Sequence, residues 1–227
     1  MGDSDSPLVI NLVTEDFNNK GRGEKLRRLL DRLELFRRIR FHVEVLEAGG
    51  ILRRYFVMNG FDGILTVTGI VMGAYITNAL NPIFVVGASM GASIAMGVSG
   101  FVGAFMTERA ERIKEIKELE KNLFTSLDNS FLKHAVNTVT FLAAIIDALA
   151  PLVFSIIGVS PFFLAVLSII TPMTAFYASL VVISMLLFLL GFILARISGE
   201  HPLKYGFYML LSGLLVSILG FLLGGVI

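Results

Sequence analysis

The chain contains no cysteine and no tryptophan among its 227 residues, and glutamine is missing as well. Without cysteine there can be no disulfide, thiolate metal ligand or thiol redox relay. Charge is scarce: Asp, Glu, Lys and Arg make up 16% of the sequence, against about 25% in soluble domains. Histidine occurs only as His42, His134 and His201, too scattered to suggest a ligand cluster. The opening residues are polar and acidic, so no cleavable signal peptide is expected. A net charge of +1 gives no reason to expect a nucleic-acid partner, because the basic residues sit where membrane topology requires them.

What the chain has in quantity is apolar length. Hydrophobic residues make up 55%, and after Tyr55 they gather into five runs. A bilayer-spanning helix takes about 20 apolar residues. The 19 Lys and Arg residues all lie outside these runs: eleven in 1–56, six in 107–133 and two in 196–204. Basic loops stay on the cytoplasmic side. One crossing pattern satisfies this, with the N-terminus inside, five spans and the C-terminus outside. The expected fold is therefore an all-α polytopic membrane protein in a prokaryotic plasma membrane, with no catalytic machinery.

Five segments follow from the pattern. Residues 1–23 are expected to be disordered or loosely held. Residues 24–50 form an amphipathic helix: Leu26, Leu29, Leu30, Leu33, Phe36, Ile39, Val43 and Leu46 recur at helical spacing, and six arginines fill much of the rest. That helix either lies on the inner membrane surface or packs on a dimer mate, and Gly49-Gly50 is expected to break it. Spans 1 and 2 occupy 51–106, turning at Asn81-Pro82. Residues 107–133 form a cytoplasmic acidic segment, with the second helix continuing to about Leu123. Residues 134–227 hold spans 3 to 5. Gly158, Pro161 and Pro172 are expected to shape the outer hairpin between spans 3 and 4.

Small residues recur every fourth position at Gly87, Gly91, Ala95, Ser99 and Gly103, and again at Gly69 and Gly73. The last span carries Gly206, Gly213, Ser217, Gly220 and Gly224. Such faces let helices approach closely in lipid, either within one chain or across a dimer seam.

Only two acidic residues fall inside the predicted spans, Asp62 and Asp147. A carboxylate at membrane depth is costly and usually faces a cavity, a partner or an ion path. Each has a plainer reading: Asp62 pairs with Arg54 or a helix end, and Asp147 is a protonated acid hydrogen-bonded across helices. Asn59, Asn78 and Asn137 add amides near span ends. Met58, Met72, Met90, Met96 and Met106 add thioethers, although methionine is commonly a gap-filler. An oxygen-rich, cysteine-free set suits Mn²⁺, Fe²⁺ or Mg²⁺ better than Zn²⁺ or Cu⁺. Beyond span 2, Glu108, Glu111, Glu115 and Glu118 share one helical face. They form either a cation-collecting stripe or ordinary ion pairs with Arg112, Lys114, Lys117 and Lys121.

Several stretches together resemble the vacuolar iron transporter family over about residues 50–227. Leu52-Arg53-Arg54, followed by Asn59-Gly60-Phe61-Asp62-Gly63-Ile64-Leu65-Thr66, is similar to that family's opening of its first span. Gly91-Ala92-Ser93-Ile94-Ala95-Met96-Gly97 is similar to its small-residue-plus-Met stretch in the second span. Ala150-Pro151-Leu152-Val153 is similar to its Pro-Leu stretch. Leu187 to Gly191, Gly199, Lys204, Gly206 and Gly213 are similar to its last helix pair.

The resemblance implies a homodimer of five-span subunits that exports Fe²⁺ or Mn²⁺ from the cytoplasm in exchange for protons, with the metal as substrate and no permanently bound cofactor. It implies that Asp62 is the metal or proton carboxylate of the first span and Met96 a metal ligand of the second, with an ion-collecting role for Glu108, Glu111, Glu115 and Glu118. Two departures stand out. Ser99-Gly100-Phe101 stands where many members read Gly-Glu-Tyr, and the segment between spans 2 and 3 is short, about 27 residues. Our reading is that Asp147 replaces the missing carboxylate from a neighbouring helix. Two other functions are compatible with the pattern: a non-transporting scaffold or regulator that binds a partner through its cytoplasmic helices, and an intramembrane aspartyl protease. The protease is disfavoured because Phe61-Asp62 and Ile146-Asp147 lack the Tyr-Asp and Gly-x-Gly-Asp contexts of those enzymes.

Overall fold

The computed structural model describes residues 48–124 and 131–224. It is all-helical over these residues: α1 Gly49–Ile76, α2 Pro82–Leu123, α3 Phe131–Val166, α4 Pro172–Ser198 and α5 Pro202–Gly224. Each helix is long and apolar enough to cross a membrane. Large apolar side chains such as Ile83, Val98, Leu167, Met185 and Phe221 face outwards, an arrangement that water penalises and hydrocarbon does not. The chain is a multi-pass membrane protein. The predicted amphipathic helix before Ala48 and the loosely held N-terminus lie outside the described residues.

Local chemistry sets the helix ends. The Asn81 side chain accepts a hydrogen bond from the Ile83 N–H at 3.0 Å, with Pro82 in the first turn of α2; there its missing N–H costs nothing. Thr171 and Pro172 repeat the device for α4, where the Thr174 N–H donates to the Thr171 hydroxyl at 3.2 Å. Gly199 ends α4 at φ 72°, its N–H returning to the Ala195 carbonyl, as left-handed glycine caps do. α2 runs on for 42 residues, about 63 Å at the usual rise and roughly twice the hydrocarbon thickness. Its extension to Leu123 is as expected.

Two expectations need correction. Gly49 and Gly50 lie in the first turn of α1 instead of standing before it. Gly158 and Pro161 do not shape the outer hairpin; both lie inside α3, and residues 167–171 make the turn. Pro161 lacks the N–H that would bond the Ile157 carbonyl, four residues back. The Ser160 hydroxyl donates to that carbonyl at 2.7 Å, so the helix continues through the proline, as membrane helices can when side chains satisfy the released group.

α3 packs against α1, α2 and α4, while α5 packs mainly on α4 and α1. The apolar core occupies one half of the bundle. Ile64, Val67 and Val71 of α1 meet Phe154, Val159 and Phe162 of α3 and Ile183, Leu187 and Leu190 of α4. Glycines set the approach distances. A Cβ on Gly63 would lie 2.7 Å from the backbone of Pro151, and one on Gly191 would lie 2.5 Å from the Tyr205 carbonyl. Serines bridge the same seams: Ser155 donates to the Gly63 carbonyl at 3.2 Å and Ser179 to that of Gly158 at 2.5 Å.

Candidate functional site

Asn59, Asp62 and Thr66 follow one another at three- and four-residue steps and so share a face of α1. Met96 and Gly100, a turn apart, lie on α2, and Asp147 lies on α3. The Asn59 amide donates both to the Asp147 carboxylate and to the Tyr55 carbonyl. Asp147 is only 5% exposed. The Thr66 hydroxyl donates to the Met96 thioether at 3.4 Å.

Gly100 explains how Asp147 is accommodated. A Cβ at Gly100 would lie 2.5 Å from the Asp147 carboxylate oxygen Oδ2. The carboxylate from α3 therefore fills the space that any side chain at position 100 of α2 would need. Pro151 adds a second feature. It has no N–H to offer the Asp147 carbonyl, so the main chain and side chain of this residue both present oxygen close to Gly100. α2 comes near enough through Gly97, whose Cβ would lie 2.9 Å from the Ala148 carbonyl.

The sequence-predicted residues separate into groups. Asn59 joins α1 to Asp147 and Thr66 joins it to Met96, while Asp62 shares their face of α1; the sequence marks Asn59 only as one of several amides near span ends. Asn59 and Thr66 stand at helical spacing from Asp62, which was the available signal. Asp62 is exposed on the single chain. Of the four glutamates, Glu108 is buried while Glu111, Glu115 and Glu118 stay exposed. Glu108 is 2% exposed and accepts a hydrogen bond from the Tyr55 hydroxyl at 2.9 Å, with Arg112 Nε at 4.0 Å. Arg112 also pairs with Glu115 at 3.0 Å, and Lys114 with Glu118 at 3.9 Å; Glu111 is exposed. Steps of three and four put residues on one face of a helix, but Tyr55 and Arg112 decide what that face meets. Among the described residues, no three His, Asp or Glu side chains gather into a metal-holding group.

The two small-residue stripes also differ from the faces used inside the chain. The inward face of α2 carries Ser89, Ser93, Gly97 and Ala104. Gly87, Gly91, Ala95, Ser99 and Gly103 face outwards, and a Cβ at any of the three glycines would meet nothing within 4 Å. Gly69 and Gly73, on the Asp62 face of α1, are similarly open.

Comparison with known proteins adds one relative. An uncharacterized protein of the archaeon Methanocaldococcus jannaschii is 31% identical over 175 residues, covering 75% of this chain and 87% of that protein. The chain belongs to that protein's family. No protein-family model matches the chain, and no solved structure gives a significant match.

Proposed function

We propose that the chain is a divalent-cation transporter, taking Fe²⁺ or Mn²⁺ out of the cytoplasm as a homodimer with protons moving in return. The observation that carries this reading is the seating of the buried Asp147 carboxylate against Gly100, in the place where the resembled family reads a carboxylate. Two carboxylates stand at membrane depth, Asp147 inside the bundle and Asp62 on its outer surface, where such groups mark ion paths; an amide contacts Asp147, and a hydroxyl and a thioether pair between α1 and α2. Hard oxygen donors with one soft sulfur suit Fe²⁺ and Mn²⁺. Protons and metal compete for the same carboxylate oxygens, which gives exchange a physical basis.

The dimer is supported by the face that carries Asp62. An aspartate turned towards hydrocarbon is costly, and the open glycines of α1 and α2 around it offer the close approach that membrane helices use to associate. A second copy placed there covers both Asp62 residues and brings two sites together. The basic residues of α1, of the α2 extension and of the end of α4 support an orientation with that end in the cytoplasm of a prokaryotic cell.

A second reading, a membrane scaffold, is favoured by the ion-paired α2 extension, which resembles a self-supporting arm more than a cation collector. Metal uptake into proteoliposomes by Asp147→Ala, with Asp62 intact, separates the two. The transporter reading expects flux to fall to the protein-free leak. Flux equal to wild type would remove Asp147 from the mechanism, and a partner-binding role would be indifferent to the change.

A further inference from the structure

Two clefts open on either side of the contact between the start of α1 and the end of α4. The larger, about 550 Å³, is walled by Phe56, Ile146, Phe192 and Ile193; the smaller, about 240 Å³, by Met58, Phe61, Leu194 and Met209. They share Arg53, Val57 and Ile197, so they form two limbs straddling one ridge with an arginine at their junction. Arg196 also lines the first and Arg54 the second. Among the described residues, no Asp or Glu lines either limb.

The arginines are held for use at this spot. Arg53 spends its Nε on the Gly49 carbonyl at 3.1 Å, which leaves the two terminal nitrogens of the guanidinium to turn outwards. The Arg196 guanidinium lies over the Phe192 ring, 5.4 Å from its centroid, and that of Arg54 over Tyr55 at 5.6 Å. Three exposed arginines therefore line two apolar slots at one end of a membrane bundle.

We infer that this is a binding site for an anionic two-chain glycerophospholipid, with one hydrocarbon chain in each limb and the phosphate on Arg53 and Arg196. Charge complementarity and the paired apolar limbs carry the assignment. A guanidinium matches a phosphate with two parallel hydrogen bonds, and basic pockets between membrane helices select anionic headgroups. Phosphatidylcholine would bring a quaternary ammonium that meets three arginines and, among the described lining residues, no carboxylate. The inference is independent of cation transport, although Ile146 in the cleft wall adjoins Asp147.

The test is native mass spectrometry of the full chain in detergent with equal amounts of phosphatidylglycerol and phosphatidylcholine. Retention of phosphatidylglycerol about tenfold above phosphatidylcholine is expected, since each arginine near an anionic headgroup contributes several-fold. R53Q/R196Q should bring the two lipids level, and R53K/R196K should keep most of the preference, both at an unchanged elution volume. Wild type without a preference, or R53Q/R196Q with the wild-type preference, would overturn the inference. So would displacement of the lipid by millimolar glycerol phosphate, which would mark a plain anion site. A photo-crosslinker at Ile193 that links only to residues 24–47 of its own chain would assign the cleft to that segment and end the lipid proposal.

Discussion

Asp147 and Gly100 form a pair whose logic can be tested by exchange. With 2.5 Å between a Cβ at position 100 and the Asp147 carboxylate, Gly100→Glu alone places two side chains in one space and two like charges together. Overpacking of this kind costs roughly 1–3 kcal/mol, and the single variant should unfold at lower temperature in detergent. Gly100→Glu combined with Asp147→Gly returns one carboxylate to the gap from α2 and should recover stability and part of the flux. A double variant no better than the single would mean that the two positions do not share a function. The two aspartates were legible in the sequence because acids are so rare in its apolar runs. Their partners were less so: Asn59 is one of several amides near span ends, and only the fold shows that its amide turns to Asp147. The burial of Glu108 was hidden for a related reason. Periodicity reports the face a residue occupies, and Tyr55, 53 positions earlier, bonds Glu108 on that face.

At the scale of the helix, glycine has two different uses here, and substitution should separate them. Gly63 lies against the backbone of Pro151 at 2.7 Å, and backbone cannot rotate away as a side chain can. Gly63→Ala should force α1 from α3 and lower the unfolding temperature by several degrees, for a cost of roughly 1–3 kcal/mol. Gly91→Ala meets nothing within 4 Å and should leave the subunit's own stability unchanged. Equal thermal shifts for the two variants would contradict this packing. Five spans were readable because an apolar run of about 20 residues is a strong signal. The outer hairpin lies beyond Gly158 and Pro161, residues that break helices in water but not here. Pro161 is tolerated by a single hydroxyl, that of Ser160, and a contact so local is invisible to a hydropathy pattern.

For the whole molecule, the open stripe of α2 and the Asp62 face of α1 are the surfaces on which the proposed dimer depends. A bulky residue there, Gly91→Trp, should shift the purified protein from dimer to monomer in light scattering after size exclusion and reduce flux without unfolding the subunit. A dimer that persists would place the seam elsewhere. The most direct test of the central proposal is Fe²⁺ and Mn²⁺ flux into proteoliposomes holding the purified full chain, with a pH dye inside, comparing wild type with Asp62→Ala. The account predicts metal entry coupled to a change in internal pH, both lost in the variant. A folded wild-type dimer that moves neither metal over a range of pH gradients would contradict it.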